Sequence, residues 1–196
     1  MQIVRLDYIQ NGERDPAIKE YYVGPSFTGD MPSPERLSVF RGALRCHEAT
    51  KVFDWWLSLV SDGRPPKKSD LLFREMAKFA HNLGLVVCKP DGTAQVRLAG
   101  AGVEELVGQS LKGIDLMEAT PFSTGLCQLS WQSQIEERRL RYYRRDLRNF
   151  DKQHRDVGIL ELPVADGDGG RYKYVLSHIK AVDRDYTPPT APVVNE

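Results

Sequence analysis

At 196 residues, with 41% hydrophobic and 28% charged side chains, the chain has the composition of a folded protein built on one core, which excludes wholesale disorder. Lysine plus arginine and aspartate plus glutamate number 27 each, so no global field draws the protein to nucleic acid or an anionic membrane. Three scattered cysteines, Cys46, Cys88 and Cys127, lack CxxC spacing; they argue against a disulfide scaffold or a structural metal site and fit a reducing compartment.

Met1 to Gln10 has no continuous apolar segment of the secretory kind, and no later run approaches the ~20 apolar residues of a membrane span. A cytoplasmic location is therefore expected, with no membrane partner. Residues 3–9 read as a short extended arm. The breakers Gly12, Pro16, Gly24, Pro25, Gly29, Pro32 and Pro34 then predict irregular backbone, making residues 1–33 a flexible leader. Ser33-Pro34-Glu35 is a helix start, with a capping hydroxyl, proline at the first helical position and an acid at the positive end of the dipole. Leu37, Phe40, Leu44, Val52, Trp55, Trp56 and Leu59 follow at roughly helical spacing until the turn at Gly63-Arg64-Pro65-Pro66, predicting one long amphipathic helix within a 34–65 extension. A shorter helix is expected over 69–81, capped by Ser69.

From Leu83 the period changes. Leu83 to Cys88, the turn Lys89-Pro90-Asp91-Gly92 and the alternating Thr93 to Leu98 describe a hairpin. Short helices follow at 103–107 and 111–118, edged by Gly108 and Gly113, then a further one over 123–138. Three strands close the domain at 140–150, 157–165 and 171–182, the last two joined by Asp166-Gly167-Asp168-Gly169-Gly170. Residues 184–196, with three prolines, are expected to be a disordered tail.

Two strands, several short helices and three strands is the order of a PAS domain, and particular residues carry the likeness further. Val96-Arg97-Leu98-Ala99-Gly100, Glu105-Leu106-Val107-Gly108 and Leu111-Lys112-Gly113 follow one another as a strand and glycine-punctuated helices. Trp55-Trp56 leads through Gly63-Arg64-Pro65 to Ser69-Asp70, and Leu162-Pro163-Val164-Ala165-Asp166-Gly167 stands near the end. In this order the motifs resemble stand-alone bacterial PAS-domain proteins over residues 55–183. The resemblance implies an α+β fold at 66–183: a PAS-like five-stranded antiparallel sheet with short helices on one face, preceded by the long N-terminal amphipathic helix. It implies a sensory or regulatory role rather than catalysis, and a cavity under the helices that holds haem, flavin, a metabolite or nothing.

The candidate sites follow. An apolar ligand pocket is expected from Phe122, Leu126, Trp131, Leu160 and Leu176. The cofactor stays unknown: no histidine falls within 101–138, and Cys127 lacks the asparagine-rich surroundings of a photochemical flavin site, so no haem or flavin signature is present. The basic stretch Arg138 to Arg148, with Arg141, Arg144, Arg145 and Arg148 beside Tyr142 and Tyr143, offers an alternative as a nucleotide or nucleic-acid grip. Its ordinary reading is a solvated strand face, and no RNP or helix-turn-helix pattern accompanies it, so nucleic acid is not the expected partner. Cys46 and His47 are neighbours on a helix and project about 100° apart, so they do not make a nucleophile and base; no GxSxG, HExxH or P-loop is present, and no enzyme is expected. The tryptophan-bearing helix must cover its stripe on its own sheet or on a second subunit. A homodimer through Leu37, Phe40, Leu44, Trp55, Trp56 and Leu59 is expected. The chain is also expected to carry no output domain, so its signal would leave through a signalling protein partner.

Overall fold

Leu83 to Cys88 is an uninterrupted apolar run, the pattern of a strand covered on both faces, and it forms a fully buried internal strand of the main sheet. The structure, a computed structural model, describes residues 9–10, 13–14, 18–116, 136, 138–146, 156–167 and 173–182. Strands β1 (Ile9–Gln10) and β2 (Glu13–Arg14) pair with each other. The main sheet is antiparallel, built from β3 (Ile18–Ser26), β4 (Leu83–Cys88), β5 (Ala94–Ala99), β6 (Arg139–Asp146), β7 (Asp156–Val164) and β8 (Lys173–Ala181). Its order is β3-β6-β7-β8-β4-β5. The helices are α1 (Pro34–Ala43), α2 (His47–Ser58), α3 (Phe73–Met76) and α4 (Ala101–Val107).

The expected order of two strands, a helical stretch and three strands is present from β4 to β8, with strand limits within a few residues of those read from the sequence. Gly108 ends α4 in the left-handed region, φ 83°, where a side chain would be strained. The helix expected at 111–118 is absent over 111–116. That segment instead lies along β5, where the Val96 amide donates to the Ile114 carbonyl at 2.9 Å and the Gly113 amide to the Val96 carbonyl at 2.8 Å. The arm at 3–8, the helix at 123–138 apart from Glu136 and Arg138, and the tail at 184–196 lie outside the described residues.

Three expectations are corrected. The segment expected to be irregular contains β3, a sixth strand that pairs with β6 from Ile18↔Arg145 to Ser26↔Arg139. Its Gly24 and Pro25 fall at a register shift on an edge strand, where a missing ladder donor is tolerated. Next, the long helix is two: Leu44 turns extended at φ −69°, ψ 124°, and Cys46 likewise at φ −150°, ψ 128°. One helix over 34–60 would run about 40 Å, longer than any of these strands at about 30 Å, so bending lets both halves lie on the sheet. The Arg45 amide at the bend donates to the Tyr142 hydroxyl on β6 at 3.1 Å, and Arg41 forks onto Asp54 to tie α1 to α2. The third correction is at 69–81, where turns and α3 replace one helix and leave Phe73 78% exposed.

The sheet is covered on both faces rather than one, giving three layers. On one face Leu83, Leu85, Leu140, Tyr142, Leu160, Leu162 and Leu176 pack with Phe27, Phe40, Val52, Phe53 and Trp56. On the other, Val86, Val96 and Cys88 meet Val103 and Val107 of α4 with Leu111 and Leu116, and Leu106 meets Val157 and Ile159. Trp56 anchors the first layer: it is 0% exposed, its indole N–H donates to the Pro163 carbonyl at 3.0 Å, and its ring meets Phe27 edge-on. The ladder between β6 and β7 ends at Arg141↔Glu161, which frees that carbonyl for the indole. Gly158 has no room for a side chain, since a Cβ would stand 2.5 Å from the Tyr142 hydroxyl.

Replacing Trp56 with alanine removes a buried ring and its hydrogen bond, so urea unfolding should show a loss of about 3–5 kcal/mol. Trp55 is only half-buried, against Phe79 and Glu75, and Trp55→Ala should cost less than about half of that on the same measurement.

Candidate functional site

Polar residues interrupt the apolar strands at one level of the sheet. Arg141 of β6 pairs across to Glu161 of β7, Glu161 to Ser177 of β8, and Ser177 to Gly84 of β4. Alternation along β4 and β7 places this row on the α4 side, the face of Val86, Val157 and Ile159. Glu161 is 2% and Arg141 3% exposed, with Ser177 and Arg145 also buried. Gly84 adds no side chain at the end of the row, and a Cβ there would press on the Ser177 hydroxyl at 2.6 Å.

Tyr143, two residues along β6 from Arg141, donates its hydroxyl to Glu161 Oε1 at 3.0 Å. Glu161 Oε2 is buried with no hydrogen-bond partner. Burial pushes the Glu161 carboxyl above its ordinary value; the Arg141 guanidinium and the Tyr143 hydroxyl pull against that without overcoming it. Cys88, on the same face, has its thiol pushed up to about 12, by burial first and then by the charge of Glu161, so it is a buried unreactive thiol rather than a nucleophile.

A second polar group lies on the opposite face, under the start of α2. Glu48 accepts from Asn82 Nδ2 at 2.9 Å and from Lys180 Nζ at 2.6 Å, and stands 3.3 Å from His178 Nε2. Burial acts upward on its carboxyl, but the bonds from Asn82 and Lys180 and the proximity of His178 hold it at about 2. His178 is 1% exposed, and burial, outweighing the attraction of Glu48, lowers its pKa below the ordinary 6.5.

The structure divides the residues singled out from the sequence. Leu160 and Leu176 face α2 and Trp56, on the opposite side of the sheet from α4, because β7 and β8 are buried on both faces and alternation assigns no cover to either. Phe122, Leu126 and Trp131 lie outside the described residues. Leu37, Phe40, Leu44 and Trp56, expected at a dimer contact, are buried in the chain's own core; Trp55 and Leu59 are partly buried beside it. The bend after α1 turns their stripe onto the sheet.

The basic strand is also redirected. It is an internal strand between β3 and β7, with Arg141 and Arg145 buried, so it is not a solvent-facing strip. Half-buried Arg144 pairs with Glu20 at 3.3 Å and Asp156 at 4.0 Å; Arg138 is exposed and Arg148 lies outside the described residues. Sequence reasoning missed Glu161, Ser177 and Glu48. The signal for Glu161 was a charge standing between Leu160 and Leu162 in an otherwise apolar run.

Among the described residues no helix is long and apolar enough to cross a membrane. Residues 44–124, less than half of the chain, match the family model described as PAS domain. The match begins at the bend before α2, ahead of residue 66. No curated protein matches the chain. Among solved structures, one titled "Structure of an RNA-binding Light-Oxygen-Voltage Receptor" aligns at 19% identity and a TM-score of 0.37, covering 62% of this chain and 36% of that one. The chain thus spans little more than a third of that receptor.

Since the Glu161 carboxyl is raised in the fold, its ionisation opposes folding: stability is greatest below the ordinary value of 4.5 and falls as the pH rises toward the folded value. Glu161→Gln keeps the shape without the charge. Its melting temperature should match the wild type near pH 4 and equal or exceed it at pH 7–8; a variant equally destabilised at both ends would refute the raised carboxyl.

Proposed function

From the match of residues 44–124 to the PAS-domain model, we propose that this chain is a sensory or regulatory PAS-domain protein that acts without catalysis, by holding a small ligand and contacting another protein. The ligand site is the α4 face of the sheet at Arg141, Glu161 and Ser177. One observation carries the reading: a charged row is buried at the centre of an otherwise apolar face, with Glu161 Oε2 lacking a partner. A buried polar group without a hydrogen bond costs roughly 1–3 kcal/mol, a penalty that a ligand's donor would relieve. A few convergent polar groups within apolar walls are also how small-molecule sites fix orientation. Cys88 is held as a thiol by burial and Cys46 is buried as well, which supports binding rather than covalent chemistry.

Purified protein, denatured and examined by mass spectrometry, should release a small molecule, or a metabolite collection should contain one that raises the melting temperature. Arg141→Leu and Glu161→Gln should each weaken that shift at least about tenfold in ligand concentration, the loss expected from removing one buried charged partner. Retention of nothing, together with no stabilising compound, would overturn the ligand reading. Equal binding by both variants would move the site elsewhere.

A further inference from the structure

Among the described residues three large apolar side chains stand out in solvent, Met31, Leu72 and Phe73, and the last two are consecutive, at 53% and 78% exposure. Their backbone is firmly tied. Leu71 before them and Met76 after them are buried in the main core. The Lys68 amide donates to the Ala165 carbonyl and the Ala165 amide to the Pro66 carbonyl, both at 2.8 Å, which fastens the segment just beyond β7. The Leu72 carbonyl accepts from the Glu75 and Met76 amides at 2.9 and 3.1 Å, opening α3. A braced turn thus holds two apolar side chains outward, where folding gains nothing from them.

The charges around the pair are one-sided. Residues 64–78 carry Arg64, Lys67, Lys68, Arg74 and Lys78 against Asp70 and Glu75, in a chain whose charges balance at 27 each. All five cations are exposed. Both acids already serve the fold: Asp70 accepts from the Lys67 amide at 2.8 Å, and Glu75 from the Trp55 indole at 3.0 Å. Arg64, Arg74 and Lys78 form no salt bridge among the described residues. We propose that this face docks an acidic amphipathic segment of a partner protein, with Leu72 and Phe73 entering its apolar side and the surrounding cations meeting its carboxylates. This docking face rests on the protein-contact part of the reading above and is separate from the Glu161 site.

Charge decides between the occupants. A second copy seated here about a twofold axis would set these cations against themselves. An anionic bilayer is a plane of charge that meets Asp70 and Glu75 along with the cations, and the chain has no net charge to draw it there. A protein segment can place its carboxylates beside the cations alone, within the screening length of about 8 Å at physiological salt. An aromatic side chain on a preorganised turn is also the kind of anchor on which interface energy concentrates, because little ordering remains to be done on binding.

The test uses the full chain. A displayed library of random peptides, selected on the wild-type protein, should yield peptides with net negative charge and at least one large apolar residue. A synthetic peptide from that selection should bind Phe73→Ser at least about tenfold more weakly, and the double variant Arg74→Glu, Lys78→Glu at least about tenfold more weakly as well. Its binding to the wild type should weaken as salt rises from about 0.05 M to about 0.5 M. Because the altered side chains are exposed, both variants should melt with the wild type, so lost binding reports the face and not the fold. Selected peptides without acids, or binding that survives Phe73→Ser, would overturn this docking face and leave a protein contact elsewhere. A selection that yields nothing would overturn the face and the protein contact together, and neither result touches the ligand test at Glu161. Binding to phosphatidylserine vesicles, or a dimer in sedimentation, that is lost in Phe73→Ser and is found without peptide binding would overturn it in favour of a bilayer or a second copy.

Discussion

Covering the sheet on both faces is the constraint from which the other features follow. Strands β4, β7 and β8 have almost no solvent-facing side, so every polar side chain placed on them must be satisfied inside the protein. The fold meets this demand by gathering such groups. Arg141, Glu161, Tyr143 and Ser177 collect on one face, and His178, Lys180, Glu48 and Asn82 on the other. Each gathering is incomplete, leaving a carboxylate oxygen in one and an imidazole in the other without a hydrogen bond. Buried groups left in this state are where environment shifts ionisation most, and where a ligand or a proton has most effect.

The two gatherings touch the same backbone. Ser177 and His178 are consecutive on β8 and point to opposite faces, as do Leu160 and Glu161 on β7. The strands that present the charged row to α4 therefore also carry the floor on which α2 rests. Helix α2 joins the apolar and polar parts of that floor: Trp56 caps the end of the β6–β7 ladder, and Glu48 reaches the far end of β8. The strands beneath either face are thus shared with the other, so a side chain on one face and its neighbour on the other are fixed by the same ladder.

Much of this was already determined by the sequence. The apolar run Leu83–Cys88, the turn after it and the alternation beyond placed the first hairpin, and the glycine at 108 ended α4 where expected. Ser33 and Pro34 marked the start of α1 because capping is local chemistry, and the Ser33 hydroxyl does accept from the Arg36 amide. Strand order was legible because each element's period is written in its own residues, and the PAS resemblance rested on that order.

What only the tertiary structure decided was which surfaces meet. A helical stripe reads the same whether it lies on its own sheet or on a partner, so the stripe from Leu37 to Trp56 could not announce a bend at Leu44 that folds both halves onto one face. Period-two alternation identifies two faces without naming their covers, and for that reason the sequence alone did not say that Leu160 and Leu176 lie on the α2 face. The arginines of β6 read as a solvated strip until β3, drawn from a stretch rich in glycine and proline, closed over their edge. Pairing between segments more than 100 residues apart is set by the burial both gain, and a single segment carries no record of it.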